Sequence, residues 1–112
     1  HAGFPTERTK EYFENWMGGI ARIAECENIY CKVSGLGMGD NGWDTDRIRP
    51  WVDHCIDCFS DDRTIFASNW PVDSLWSDYG TIVQAYREIL SVRPEVEQEK
   101  ILGGNAARLY RI

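Results

Sequence analysis

Three short stretches carry the residue types that could do chemistry: "HAGFP" at 1–5, "KVSG" at 32–35 and "SNWPVD" at 68–73. A neutral imidazole such as His1 accepts a proton, donates one or binds a metal. As the first residue of the chain it could equally be a loose end. Lys32 offers an ammonium to a substrate carboxylate or hydroxyl, or else keeps one face of a sheet wet. Ser34 stands two residues on, on the same side of an extended chain as Lys32. Asn69 can hold a carbonyl or a water through its amide, but it does not titrate and cannot be a general base. Before Pro71 it could also serve only the turn. If a proton moves at this junction, His1 or Asp73 must carry it. Trp70 and Trp76 could wall a pocket or fill a core.

The elements that must position these residues follow from apolar periodicity. "TKEYFENWMGGIARIAE" at 9–25 sets Tyr12, Phe13, Trp16, Met17, Ile20 and Ile23 at helical spacing, with Gly18 and Gly19 weakening its middle. A strand of about five residues starts at Ile29 and stops at Ser34-Gly35. "TDRIRPWVDHCIDCF" at 45–59 returns to helical spacing, with Pro50 in its first turns, where a missing N–H costs little. Asp61-Asp62 make a turn and "TIFAS" a short strand. The helix "SLWSDYGTIVQAYREIL" follows, with Ser74 or Ser77 as caps. Pro94 opens a further helix that Gly103-Gly104 end, and Asn105 caps a last turn.

Strands alternating with helices imply parallel pairing, because each helix returns the chain to start the next strand from the same end. The three polar junctions then gather at the carboxyl edge of one sheet, where α/β proteins place their chemistry. Three parallel strands make a poor free-standing sheet. The chain, opening on His-Ala-Gly without a methionine, reads as the last part of a larger barrel or open sheet. Its exposed strand edges could pair with another chain, so a homo-oligomer is one expectation.

Bulk properties exclude several classes. With 112 residues, 43% hydrophobic and 27% charged, the chain is one globular domain at most. A net charge of −6 with no dense Lys/Arg cluster argues against nucleic acid. No apolar run approaches the roughly 20 residues that cross a bilayer, and no leader opens the chain, so a cytoplasmic protein without a membrane partner is expected. The cysteines at 26, 31, 55 and 58 could in principle ligate zinc with His54 nearby. Cys55 and Cys58 fall in a helical pattern and Cys31 points to the apolar side of a strand, so small buried hydrophobes explain them better.

Four blocks in register, "HAGFP", "NIYCKVSGLG", "DDRTIFASNWPVDSLW" and "ILGGNAARLYRI", resemble the carboxyl-terminal blocks of the amidohydrolase-related family of metal-dependent hydrolases, in its sugar-lactonase branch. The resemblance implies an α/β fold in which residues 1–112 form about three βα units at the end of a TIM (β/α)8 barrel. It further implies a small-molecule substrate, hydrolysis of a lactone or similar cyclic ester by activated water, and a cofactor of one divalent cation such as zinc, or none. By the same resemblance His1 matches a strand-six histidine that is catalytic or a metal donor. Lys32 and Ser34 match a strand-seven segment that contacts substrate, with Trp70 beside it. Asn69 stands where the family usually has a catalytic aspartate, with Asp73 two residues after the proline as the possible base. The His-x-His pair that usually opens the family's site is absent, which implies that this chain alone is inactive. A decarboxylase on the same barrel and a non-catalytic structural or interaction module are the alternatives.

Overall fold

The computed structural model describes all residues 1–112. The order is helix α1 (Lys10–Ala24), strand β1 (Cys31–Val33), helix α2 (Thr45–Arg63), strand β2 (Thr64–Phe66), helix α3 (Tyr79–Leu90), helix α4 (Glu95–Glu99) and helix α5 (Asn105–Tyr110). Single 3-10 turns at Leu36–Gly39 and Val72–Leu75 follow the two strands.

Helices α1, α2 and α3 each begin where a short polar side chain takes an unpaired N–H. The Thr9 hydroxyl accepts from Tyr12 N, and the Asp44 carboxylate accepts from Arg47 N at 2.8 Å. The third cap is Asp78, which takes both the N–H and the hydroxyl of Thr81. Ser74, one of the expected caps, lies in the 3-10 turn, and Ser77 lies just after it. A carboxylate satisfies an N–H there and also complements the positive end of the helix dipole, which a hydroxyl does not. Trp16, Ile20 and Ala24 bury one residue per turn of α1, as the spacing predicts. Arg63, at the far end of α2, closes α1 by donating to the carbonyls of Ala24, Cys26 and Ile29 at 2.9 to 3.2 Å.

The strands pair in parallel, with Cys31 opposite Thr64, Lys32 opposite Ile65 and Val33 opposite Phe66. Val33 lies in the main core and Phe66 packs on Tyr86 of α3 with ring centres 4.7 Å apart. That face is therefore covered by helices. Lys32 is exposed on the other face, and no carboxylate pairs with it. The sheet has two strands rather than three. The expected strand end at residues 1–3 is a turn closed by Phe4 N to His1 O at 2.7 Å, and its one link to β1 is Ala2 N donating to Lys32 O at 2.9 Å. One ladder bond aligns this segment beside β1 without making it a strand.

The core joins α1 to α2 through Phe13, Trp16 and Trp51, with ring centres 4.6 to 5.6 Å apart. Cys31 and Cys55 are buried within it while Cys26 is exposed, so the four thiols do not converge on a metal. The Cys55 thiol is pushed up by its contact with Cys31 and by burial.

The carboxyl-terminal segment departs from expectation in one respect. Gly103-Gly104 do not stop the helix: α4 passes through a π turn at Lys100–Gly104 straight into α5. Asn105 is no cap either. It is 2% exposed, and its amide donates to the carbonyls of Asp61 and Thr64. The wider turn brings that side chain onto the α2–β2 junction, a use of π turns that a glycine-based stop signal does not reveal.

Candidate functional site

The junctions after residue 1, β1 and β2 stand at one end of the sheet, because the backbone bonds that align them run in sequence: Ala2 N to Lys32 O, then Ala67 N to Val33 O. Two polar pairs rise from this edge.

The first pair is His1 and Ser34. His1 Nδ1 lies 2.7 Å from Ser34 Oγ, and Ser34 is 1% exposed while His1 itself is exposed. A buried hydroxyl thus fixes one ring nitrogen and leaves the other free to meet a ligand. Gly35 makes this contact possible. Its φ of +65° favours glycine, and a Cβ there would sit 3.0 Å from His1 Nδ1. Gly37 is also a close approach, since a Cβ would lie 2.7 Å from Trp76 Nε1 and 2.8 Å from Trp43. Trp76 is thereby folded onto the loop after β1, half-buried.

Arg8, which carried no signal in the sequence, ties the first two junctions together. Its guanidinium donates to Pro5 O at 3.2 Å and Leu36 O at 2.7 Å, and stacks 4.6 Å above the Trp51 ring.

The second pair is Asn69 and Asp73. Asn69 adopts φ 56°, a left-handed conformation that asparagine tolerates better than most residues. Ser68 Oγ accepts from Trp70 N at 3.2 Å, and Asp73 N donates back to Asn69 O at 3.2 Å. The loop after β2 is therefore wound tightly enough for Asn69 Nδ2 to donate to Asp73 Oδ1 at 2.7 Å. This is why the strand-to-helix join holds serine, asparagine and aspartate around a proline: each supplies a bond that a bare turn lacks.

Asp73 is 3% exposed and borders the α3 side of the sheet edge, beside Ile82 and Tyr86. Burial raises its pKa, and the Asn69 bond partly opposes that. Asp73 is thus the buried member of the pair, and half-buried Asn69 is the more exposed one. Trp70 is exposed and meets Tyr79 edge-on at 5.6 Å. No cavity is lined by His1 and Asn69 together, so the two pairs share an edge without sharing a pocket.

No three His, Cys, Asp or Glu side chains cluster closely enough to hold a metal. His1 is the imidazole placed to offer one donor. The chain does not by itself provide the several protein donors of a zinc shell. No helix is long and apolar enough to cross a membrane.

Comparison with known proteins agrees with this architecture. The family model described as Amidohydrolase matches residues 1–112. The protein y4mH of Sinorhizobium fredii is 41% identical over 101 residues, which are 90% of this chain and 34% of that protein. An L-fucono-1,5-lactonase of Burkholderia ambifaria is 32% identical over 106 residues, 88% of this chain and 36% of the enzyme. An amidohydrolase of Burkholderia multivorans superposes with a TM-score of 0.93 at 28% identity, over 100% of this chain and 42% of its own, in a crystal structure with bound zinc. The chain thus spans about a third of the curated relatives it matches.

Proposed function

Since the chain belongs to the amidohydrolase family, we propose that it forms the carboxyl-terminal part of a (β/α)8 barrel whose whole protein opens a sugar lactone or similar cyclic ester with water. The parallel β1–β2 pair, joined through helix α2 with the main core on one face, supports the barrel reading, because a (β/α)8 barrel is built from such units. The lactonase named among the relatives supports the substrate class.

The observation that carries the chemistry is the His1–Ser34 contact at the carboxyl edge. In hydrolysis, water adds to the lactone carbonyl, the acyl C–O bond breaks, and the ring oxygen leaves as a hydroxyl after taking a proton. His1, held by Ser34 through Nδ1, polarises the carbonyl or passes the proton with its free nitrogen. Asn69 orients the substrate or the water through its amide, and Asp73 holds Asn69 rather than acting as base. Lys32, itself exposed, reaches a substrate carboxylate or hydroxyl, and Trp70 walls the opening. A divalent cation, where one is bound, would polarise the carbonyl as a Lewis acid, with His1 as this chain's donor. The remaining donors, and catalytic competence, come from the rest of the protein.

The test is hydrolysis by the full-length protein of a panel of sugar 1,5-lactones, followed by acid release in a pH-stat. His1→Ala should lower kcat/KM by about 100-fold or more, the range for losing a proton-transfer group. A folded full-length protein that opens none of the lactones overturns the reading.

A further inference from the structure

A hollow of about 370 Å³ opens between the starts of α1 and α2 and the segment after β1. That volume suits a small organic molecule. The chain carries a net charge of −6, yet this hollow sets Arg8, Lys10 and Arg47 against a single carboxylate, Asp40. Its apolar lining is Phe13 and Trp51, whose rings meet edge-on at 4.6 Å.

The three cations are held differently. Arg8 is committed to the fold: besides its bonds to Pro5 O and Leu36 O and its place over Trp51, a Cβ on Gly39 would come within 3.2 Å of its Nη1. Arg47 is anchored at one end only. Its Nη2 lies 2.9 Å from Asp40 Oδ1 and 2.8 Å from Oδ2, and the Asp40 side chain is only 9% exposed. One nitrogen straddles two oxygens, so Oδ1 gains the directed hydrogen bond and buried Oδ2 has none. The N–H groups on Arg47 Nη1 and Nε donate to nothing in the chain, and the residue is exposed. Lys10 meets Glu14 at 3.8 Å in an exposed pair too weak to hold it there.

We propose that this hollow binds the carboxylate of a small sugar acid: Arg47, steadied by Asp40, offers the acid its unpaired N–H groups, Lys10 closes on it, and Arg8 adds a fixed charge. A guanidinium already anchored through one nitrogen loses little freedom on binding, and its planar donors match a carboxylate. The first N–H groups of α1, at the rim, favour the same sign of charge. Phe13, half-buried, gives the carbon chain a surface to lie on, which an inorganic ion would leave unused. Opening a sugar lactone releases an acid of this class. That link rests on the hydrolase reading above, whereas the binding of the acid does not.

The experiment is an NMR titration of the 15N-labelled full-length protein with D-gluconate at about pH 6.5, where a carboxylate is fully charged. The signal followed is the Arg47 side-chain Nε–H, identified by its loss in Arg47→Lys. Gluconate should shift it saturably, and sorbitol, a similar carbon chain without the charge, should leave it unmoved. Lys10→Gln, a change at an exposed position, should weaken binding about two- to fivefold, and added salt should weaken it further. An unmoved Arg47 signal, an equal shift from sorbitol, or unchanged affinity in Lys10→Gln overturns the proposal. Inorganic phosphate is the last arm: binding as tight as that of gluconate would make the hollow a general anion site and overturn its assignment to an organic acid. None of these arms reads lactone turnover, so failure of the hydrolase reading and failure of this site are separable.

Discussion

The amide of Asn69 donates to the carboxylate of Asp73 across 2.7 Å, and the acid that holds it is buried with no cation beside it. A side chain that cannot titrate is thus presented by one that titrates abnormally. Burial leaves the folded state holding its proton to higher pH than the unfolded chain does.

The sign of the resulting pH dependence is definite. Because the folded pKa of Asp73 is raised, its contribution to stability is fully present below the unfolded carboxyl value of about 4 and is lost as pH rises through the folded value. Asp73→Asn keeps an acceptor for Asn69 and removes the titration. Melting curves from pH 3.5 to 8 should therefore show the wild type losing ground to Asp73→Asn as pH rises. Wild type gaining on the variant instead would mean that a cation stabilises the carboxylate.

Ser34→Ala deletes the hydroxyl that meets His1 Nδ1 at 2.7 Å. If that contact orients the imidazole, kcat/KM of the full-length protein on a lactone should fall about tenfold, the worth of roughly 1.4 kcal/mol of transition-state positioning. The loss should vanish in a His1→Ala background. Equal losses in both backgrounds would show that Ser34 acts through some other contact.

Ser60 sits inside α2 at φ 61° and ψ 173°, a conformation almost confined to glycine. Ser60→Gly should relieve this strain and stabilise the protein by about 1 kcal/mol, after allowing for the extra freedom glycine has when unfolded. The hydroxyl that would be lost accepts only a long 3.4 Å bond from Asp62 N. Urea melts with unchanged slope and a higher midpoint are the expected result. A lower midpoint would assign the hydroxyl a structural role that outweighs the strain.

Much of the architecture was legible because burial writes a period into the sequence. Trp16, Ile20 and Ala24, or Ile48, Trp51, Val52, Cys55 and Phe59, lie where helical spacing places a covered face. The parallel pairing of β1 and β2 followed from the helix between them. Features set by contacts distant in the chain were not legible. Arg8 bonds Leu36 O across 28 positions, Arg63 closes a helix 39 positions away, and the side of the sheet on which Asp73 lies depends on how α3 packs. Type and spacing mark Asp73 as a possible base and say nothing of its burial, which packing alone decides. Asn105 was read as a cap for the same reason.

Asn105 supplies the sharpest stability test. Its Nδ2 bridges the carbonyls of Asp61 and Thr64 at the point where α2 gives way to β2, and its Oδ1 accepts from Arg108 at 3.3 Å. Both bonds from Nδ2 span more than 40 positions of chain, so they act as a cross-link between the carboxyl-terminal helix and the sheet. Asn105→Ala leaves two carbonyls without their donor and a gap in a site only 2% exposed. The expected loss is about 2 to 4 kcal/mol, one desolvated carbonyl accounting for about 1 to 3. Asn105→Asp should be worse still, since a carboxylate would face two carbonyl oxygens with no proton to offer. Raising the pH from 5 to 8 should then deepen the deficit of Asn105→Asp and leave that of Asn105→Ala unchanged. Thermal melts of the three proteins would check both, and an Asn105→Ala loss under about 0.5 kcal/mol, the ordinary scale of a surface substitution, would show that the bridge contributes nothing net.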